Sequence, residues 1–210
     1  LLALLLPACS GPAATPGGGG AGGAGGGAQC TSLPTLEAGD PNGHADPLGA
    51  KAAGQARAGR VASADQIVQP AHGRQQIAVG DYVLANDRIA VYVEDKGDAT
   101  RPSDGYARFG GEILAIDRVG DDGRPLGESA YGETLQGVVL QAVEPTRVTV
   151  LTDGSDGGDA VVRVLGPLAP IPFLDEAFGL LFHDIYPFQV ASDYVLSPGA
   201  TSVRVRLSIV

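Results

Sequence analysis

Carboxylates recur at every third position in one glycine-rich stretch, Asp153-Gly154-Ser155-Asp156-Gly157-Gly158-Asp159. Oxygen ligands gathered on a loop are the chemistry of calcium, which takes about six to eight of them. The spacing is not that of an EF-hand, which sets acids on alternate positions and closes with a distal glutamate. Asp153, Asp156 and Asp159 are therefore candidate metal ligands, and a solvated hairpin loop is the simpler role for the same residues. A second group is His183-Asp184, with Asp175 and Glu176 close by in sequence. An imidazole and a carboxylate at one place can supply an acid and a base, which makes His183, Asp184 and Glu176 the candidate catalytic residues. Nothing in the sequence fixes their geometry. The simpler role for His183 is the end of a short helix beside Phe173, Phe178, Phe182, Tyr186 and Phe188, a cluster suited to a core. His44, His72 and His183 form no H-x-H or H-x-x-x-H array of the kind a zinc site uses. No serine stands in a G-x-S-x-G elbow and no phosphate-cradling glycine loop is present. No cofactor is expected.

The remaining reactive group is a thiol. Leu4-Leu5-Leu6-Pro7-Ala8-Cys9 is an apolar run closed by a small residue and a cysteine, and Ser10 follows. The run is far shorter than the roughly 20 residues a membrane span needs. It fits the end of a signal-peptide apolar region, which stops at a small-residue cleavage site. The stretch resembles the bacterial lipoprotein signal. That resemblance implies thioether lipidation of Cys9, cleavage after Ala8 and acylation of the new amino terminus. Several acyl chains hold a protein stably on a membrane where one does so only marginally. A buried helix ending in a core cysteine is the competing interpretation, but glycine-rich chain follows at once and offers it nothing to pack against. If Cys9 carries lipid, Cys30 is a single thiol; otherwise the two can pair. No basic segment precedes Leu1, so the signal peptide is expected to begin upstream.

The chain has 210 residues, a net charge of −10, Gly 32, Pro 15 and 5% aromatics. That charge argues against nucleic acid, which needs a basic footprint, and against electrostatic attachment to anionic lipid. Residues 1–8 read as the end of a signal peptide and residues 9–58 as a disordered Gly/Ala/Pro-rich linker. Its composition buries too little apolar surface to offset the entropy of ordering. Residues 59–210 read as one domain.

Within that domain, residues 81–85 and 88–94 form a predicted hairpin joined at Asn86-Asp87, a pair that tolerates the backbone of a tight turn. In its second strand Ile89, Val91 and Val93 alternate with Ala90, Tyr92 and Glu94, which predicts one buried and one solvated face. Residues 112–118, 134–143, 147–152, 160–165, 189–196 and 201–210 read as further strands. Pro167, Pro170 and Pro172 argue against a central strand at that point. A short helix is expected over residues 174–182. The clean alternation of residues 201–210 runs to the last residue, so the domain is expected to continue. Many short strands with Gly/Pro turns predict an all-β, antiparallel β-sandwich.

Three stretches carry a family resemblance: Val79-Gly80-Asp81-Tyr82-Val83-Leu84-Ala85-Asn86-Asp87-Arg88-Ile89, Gly110-Gly111-Glu112-Ile113-Leu114, and Asp193-Tyr194-Val195-Leu196-Ser197-Pro198-Gly199. Residues 59–210 resemble the amino-terminal β-domain of envelope lipoproteins that carry a PHP-type metallohydrolase domain of the CehA/McbA group. The last strands are similar to the galactose-mutarotase-like supersandwich. The paired histidines of the metallohydrolase lie nowhere in this chain, so no catalytic residue carries over. The resemblance implies a lipid-anchored accessory or binding domain at the bacterial cell envelope, with an envelope glycan or protein as partner. Ser10 after Cys9 favours the outer membrane. The alternative is a mutarotase-like carbohydrate-active enzyme, or a carbohydrate-binding module.

Overall fold

A computed structural model of the chain describes residues 36–97, 110–132, 134, 136–138, 141–171, 179–180 and 188–210. The fold is an antiparallel β-sandwich, as the strand pattern predicts. One sheet has the order β1-β2-β3-β4, with β1 Ala56–Arg60, β2 Tyr82–Asn86, β3 Ile89–Val93 and β4 Ile113–Arg118. The other has the order β10-β9-β8-β6-β5, with β7 also paired to β8. Its strands are β5 Gly137–Val138, β6 Gln141–Val143, β7 Arg147–Asp153, β8 Ala160–Pro170, β9 Gln189–Leu196 and β10 Arg204–Ile209.

Period-2 alternation builds the core between the sheets. Leu84, Val91 and Val93 from the first sheet meet Val150, Val162, Val190 and Leu196 from the second, all buried in one cluster. Burying each such side chain contributes about 1.5–3 kcal/mol. Polar side chains tie the sheets across this core. The Tyr82 hydroxyl donates to Val148 O at 2.7 Å, and the Tyr194 hydroxyl donates to Gly111 O at 2.8 Å. Asn86 Nδ2 donates to Ser197 O and Ala200 O, both at 2.9 Å. Burial pushes the Tyr194 phenol well above its usual range, so it stays a hydrogen-bond donor.

Several expectations need correction. The boundary expected at residue 59 lies at Leu36, where the compact unit begins. Residues 36–44 form a strap that joins the edges of the two sheets. Asp40 exchanges backbone hydrogen bonds with Val150 on β7, and four residues later His44 N donates to Ala58 O on β1. Propensity reads this stretch as linker because its residues are turn formers. Edge strands with unpaired N–H and C=O groups recruit it regardless. The solvated face expected on β3 is also covered. Ala90 and Tyr92 pack in a second buried cluster with Val61, Ile77 and Val83. The irregular segment between β1 and β2 lies over that face, and the Tyr92 hydroxyl donates to Gln66 O at 3.0 Å. Its burial pushes the Tyr92 phenol up to about 12.

Pro167 and Pro170 do lie in a central strand, contrary to expectation. β8 pairs with β7 up to Leu165 and with β6 from Leu168, and the two registers differ by one residue. Pro167 sits where the register shifts, and its carbonyl still accepts from Glu144 N at 2.9 Å. A bulge of this kind is one of the few interior places where a missing N–H is tolerated. Residues 75–79, where Ile77 and Val79 alternate, are irregular chain held by Gln69, whose side chain bonds both the N–H and the carbonyl of Ile77. Of the helix expected over residues 174–182, only residues 179–180 are described, and they are helical.

Candidate functional site

His183, Asp184, Glu176 and Asp175 lie outside the described residues, as do Cys9 and Cys30. Of the aromatic cluster, only Phe188 is described, and it is half exposed. The described histidines stand apart from chemistry: His72 is exposed, and His44 Nδ1 accepts from Asp46 N at 2.9 Å.

The acidic hairpin between β7 and β8 is described throughout. Asp153 accepts from Ser155 N at 3.0 Å and from Ser155 Oγ at 2.8 Å. These bonds, the backbone one foremost, hold its carboxyl below the usual carboxylate range. Asp156 accepts from Gly158 N at 2.9 Å, and Asp159 is paired with Arg204 at 2.8 Å. Each acid thus closes its own turn or pairs with a strand arginine. The three do not converge, and among the described residues no group of three or more His, Cys, Asp or Glu side chains could hold a metal ion.

Charge is concentrated elsewhere. On the outer face of the second sheet, Asp193 is fully buried between Arg163 and Arg206. Arg163 grips it with two bonds, Nε to Oδ1 at 2.7 Å and Nη2 to Oδ2 at 2.9 Å, while Arg206 reaches Oδ2 at 2.8 Å. Arg163 Nη1 also donates to Glu37 O at 3.0 Å, which fastens the strap over this face. The hydrogen bonds to Asp193 raise the Arg163 pKa further, so the cation is permanent. Both Asp193 oxygens and all three Arg163 nitrogens have partners, so the arrangement is a structural clamp.

Cavities among the described residues offer further candidates. An internal space of about 20 Å³ between the sheets is lined by Glu112, Gln136, Ser192 and Tyr194 among others, room for about one water. A cleft of about 580 Å³ beside the β2–β3 turn is lined by Lys51, Arg88 and Arg118 as well as Asp87 and Asp121. Its cations are already engaged: Arg88 with Asp87 at 3.3 Å, Arg118 with Glu128, and Lys51 Nζ with Asp122 O at 3.1 Å.

The third cleft, about 370 Å³, lies between the strap and the start of β7. Arg60 is anchored there. Its Nε donates to Pro41 O at 3.1 Å, Nη1 to Gly80 O at 2.8 Å and to Asp95 Oδ2 at 3.0 Å, and Nη2 to the Tyr82 hydroxyl at 2.6 Å. The guanidinium also sits 4.7 Å from the Tyr82 ring centre. Asp95 is therefore neutralised by Arg60, and its Oδ1 accepts from Lys96 N at 2.9 Å. Lys96 and Arg147 line the same cleft, and both are exposed. The sequence gives no hint of this grouping. Lys96 reads as part of a polar loop and Arg147 as the first residue of a strand, and only the strap brings them to one opening.

Among the described residues no helix is long and apolar enough to cross a membrane. No protein-family model, curated protein or solved structure matches this chain.

Proposed function

We propose that the chain is a lipid-anchored accessory or binding domain of the bacterial cell envelope, attached through Cys9 and carried on the outer membrane. The observation that carries this reading is the run Leu4-Leu5-Leu6-Pro7-Ala8-Cys9 followed by glycine-rich chain and then a β-sandwich. Treated as a Gly-rich coil, the stretch from Cys9 to the strap reaches about 30 Å, enough to hold a domain clear of lipid headgroups. A net charge of −10 leaves the acyl chains as the means of attachment. The role is that of a module holding an envelope partner, placed ahead of a PHP-type metallohydrolase domain as the resemblance implies. The test is metabolic palmitate labelling of the precursor, with its start restored, in a bacterium. Cys9→Ser abolishes labelling and membrane retention, and Cys30→Ser leaves both intact. Label that survives Cys9→Ser but not Cys30→Ser refutes the anchor.

A further inference from the structure

The distribution of unspent positive charge singles out the cleft under the strap. Most described lysines and arginines donate from their side chains to a carboxylate or carbonyl of the protein. Among the described residues Arg74, Lys96 and Arg147 are the ones with no such partner. Two of those three, Lys96 and Arg147, open onto one cleft, and the third cation there, Arg60, already offsets Asp95. The residues that line the cleft therefore carry a net charge of +2 in a chain whose net charge is −10. Its floor is rigid. Arg60 is fixed by four protein partners, and the strap is held from beneath by the Thr149 hydroxyl, which donates to Ala38 O at 2.7 Å. A volume of about 370 Å³ falls in the range of small-ligand sites.

We infer that this cleft, with Lys96 and Arg147 as its ligand-binding cations, takes the carboxylate of an acidic polysaccharide, a uronate-bearing chain. The inference rests on the envelope-binding reading for its partner class. The lining decides among anionic polymers. Among the described residues, Gly39, Pro41, Thr146 and Thr149 line it, with no exposed aromatic or large aliphatic side chain to anchor a peptide. The neighbouring β7 edge is already bridged by Asp40 at Val150, which narrows the room for an added peptide strand. A hydroxylated, flexible anion fits a polar opening with two free cations.

The test is titration of the whole chain, as Cys9→Ser so that it is soluble whether or not the anchor exists, with oligogalacturonate followed by calorimetry. Inorganic phosphate, a neutral oligogalactan and poly-glutamate are run in parallel. Oligogalacturonate binds, the affinity falls as salt rises, and Lys96→Gln or Arg147→Gln each weakens it about twofold to fivefold. Arg74→Gln, outside the cleft, leaves it unchanged. Lys96→Glu with Arg147→Glu removes it while the thermal unfolding midpoint stays within a few degrees. Binding indifferent to Lys96 and Arg147, or no binding, overturns the site. Poly-glutamate or phosphate binding as tightly through the same residues overturns the glycan assignment. Because the anchor is absent from this protein, none of these outcomes depends on lipidation.

Discussion

Asn86 should be among the most expensive single side chains to remove from this fold. It is 1% exposed at the end of β2, and its amide makes four hydrogen bonds in two directions. Oδ1 accepts from Arg88 N at 2.8 Å and Ile89 N at 2.9 Å, closing the β2–β3 turn. Nδ2 donates to Ser197 O and Ala200 O, fixing the β9–β10 turn of the opposite sheet. Each bond contributes about 1 kcal/mol net. Water reaching the exposed turn residue Arg88 recovers part of this, so Asn86→Ala should cost about 3–4 kcal/mol. With a urea slope of about 2 kcal/mol/M, the unfolding midpoint should fall by about 1.5–2 M. Asn86→Asp separates the two directions. It keeps both accepted bonds and loses both donated ones, and it sets a carboxylate against two carbonyls. Its protonated form can donate again, so the deficit of Asn86→Asp should shrink as pH falls from 7 to 5, while that of Asn86→Ala stays constant. Urea denaturation followed by circular dichroism reads both. A loss below about 1 kcal/mol for Asn86→Ala, or a pH-independent deficit for Asn86→Asp, would refute the account of Asn86 as a bracket between sheets.

Two further predictions concern the strap. Gly43 has φ +65°, and a Cβ there would lie 2.5 Å from Val150 Cγ2 and 2.7 Å from Ala58 O. Gly43→Ala should therefore lose about 2 kcal/mol or more, from the left-handed backbone and the clash together; an unchanged melting temperature would contradict this. Asp40 accepts from Asn42 N and Gly43 N, each at 2.7 Å, and these bonds, Gly43 first, hold its carboxyl below the usual range. A depressed carboxyl stabilises the fold above its unfolded pKa, near 4, and that contribution is lost as pH falls through the folded value. Hydrogen-exchange protection at Val150 and Arg60 amides should fall below about pH 4, and Asp40→Asn should flatten that dependence; equal acid sensitivity in the variant would locate the effect elsewhere.

The residues alone determined the local grammar of this protein. Ile89, Val91 and Val93 against Ala90 and Tyr92, the Asn86-Asp87 turn, and the glycines and acids of residues 153–159 each fix a strand or a reversal within a few residues. Alternation and turn chemistry are properties of neighbours in sequence. Tertiary structure decided what lies over each face and who pairs with whom. Ala56-Arg57-Ala58-Gly59-Arg60 has no β-branched residue, and pairing with β2 imposes its strand geometry. Gly59 must be glycine because a Cβ there would sit 2.1 Å from His44 O of the strap. Ala90 and Tyr92 read as solvated until the segment between β1 and β2 covers them, and Pro167 reads as a breaker until the register shift makes its missing N–H harmless. The cleft was invisible for the same reason. Lys96 and Arg147 carry no pattern of their own, and their shared opening arises where an irregular strap crosses from one sheet edge to the other, an event that depends on edge hydrogen bonds left unpaired by the finished sandwich.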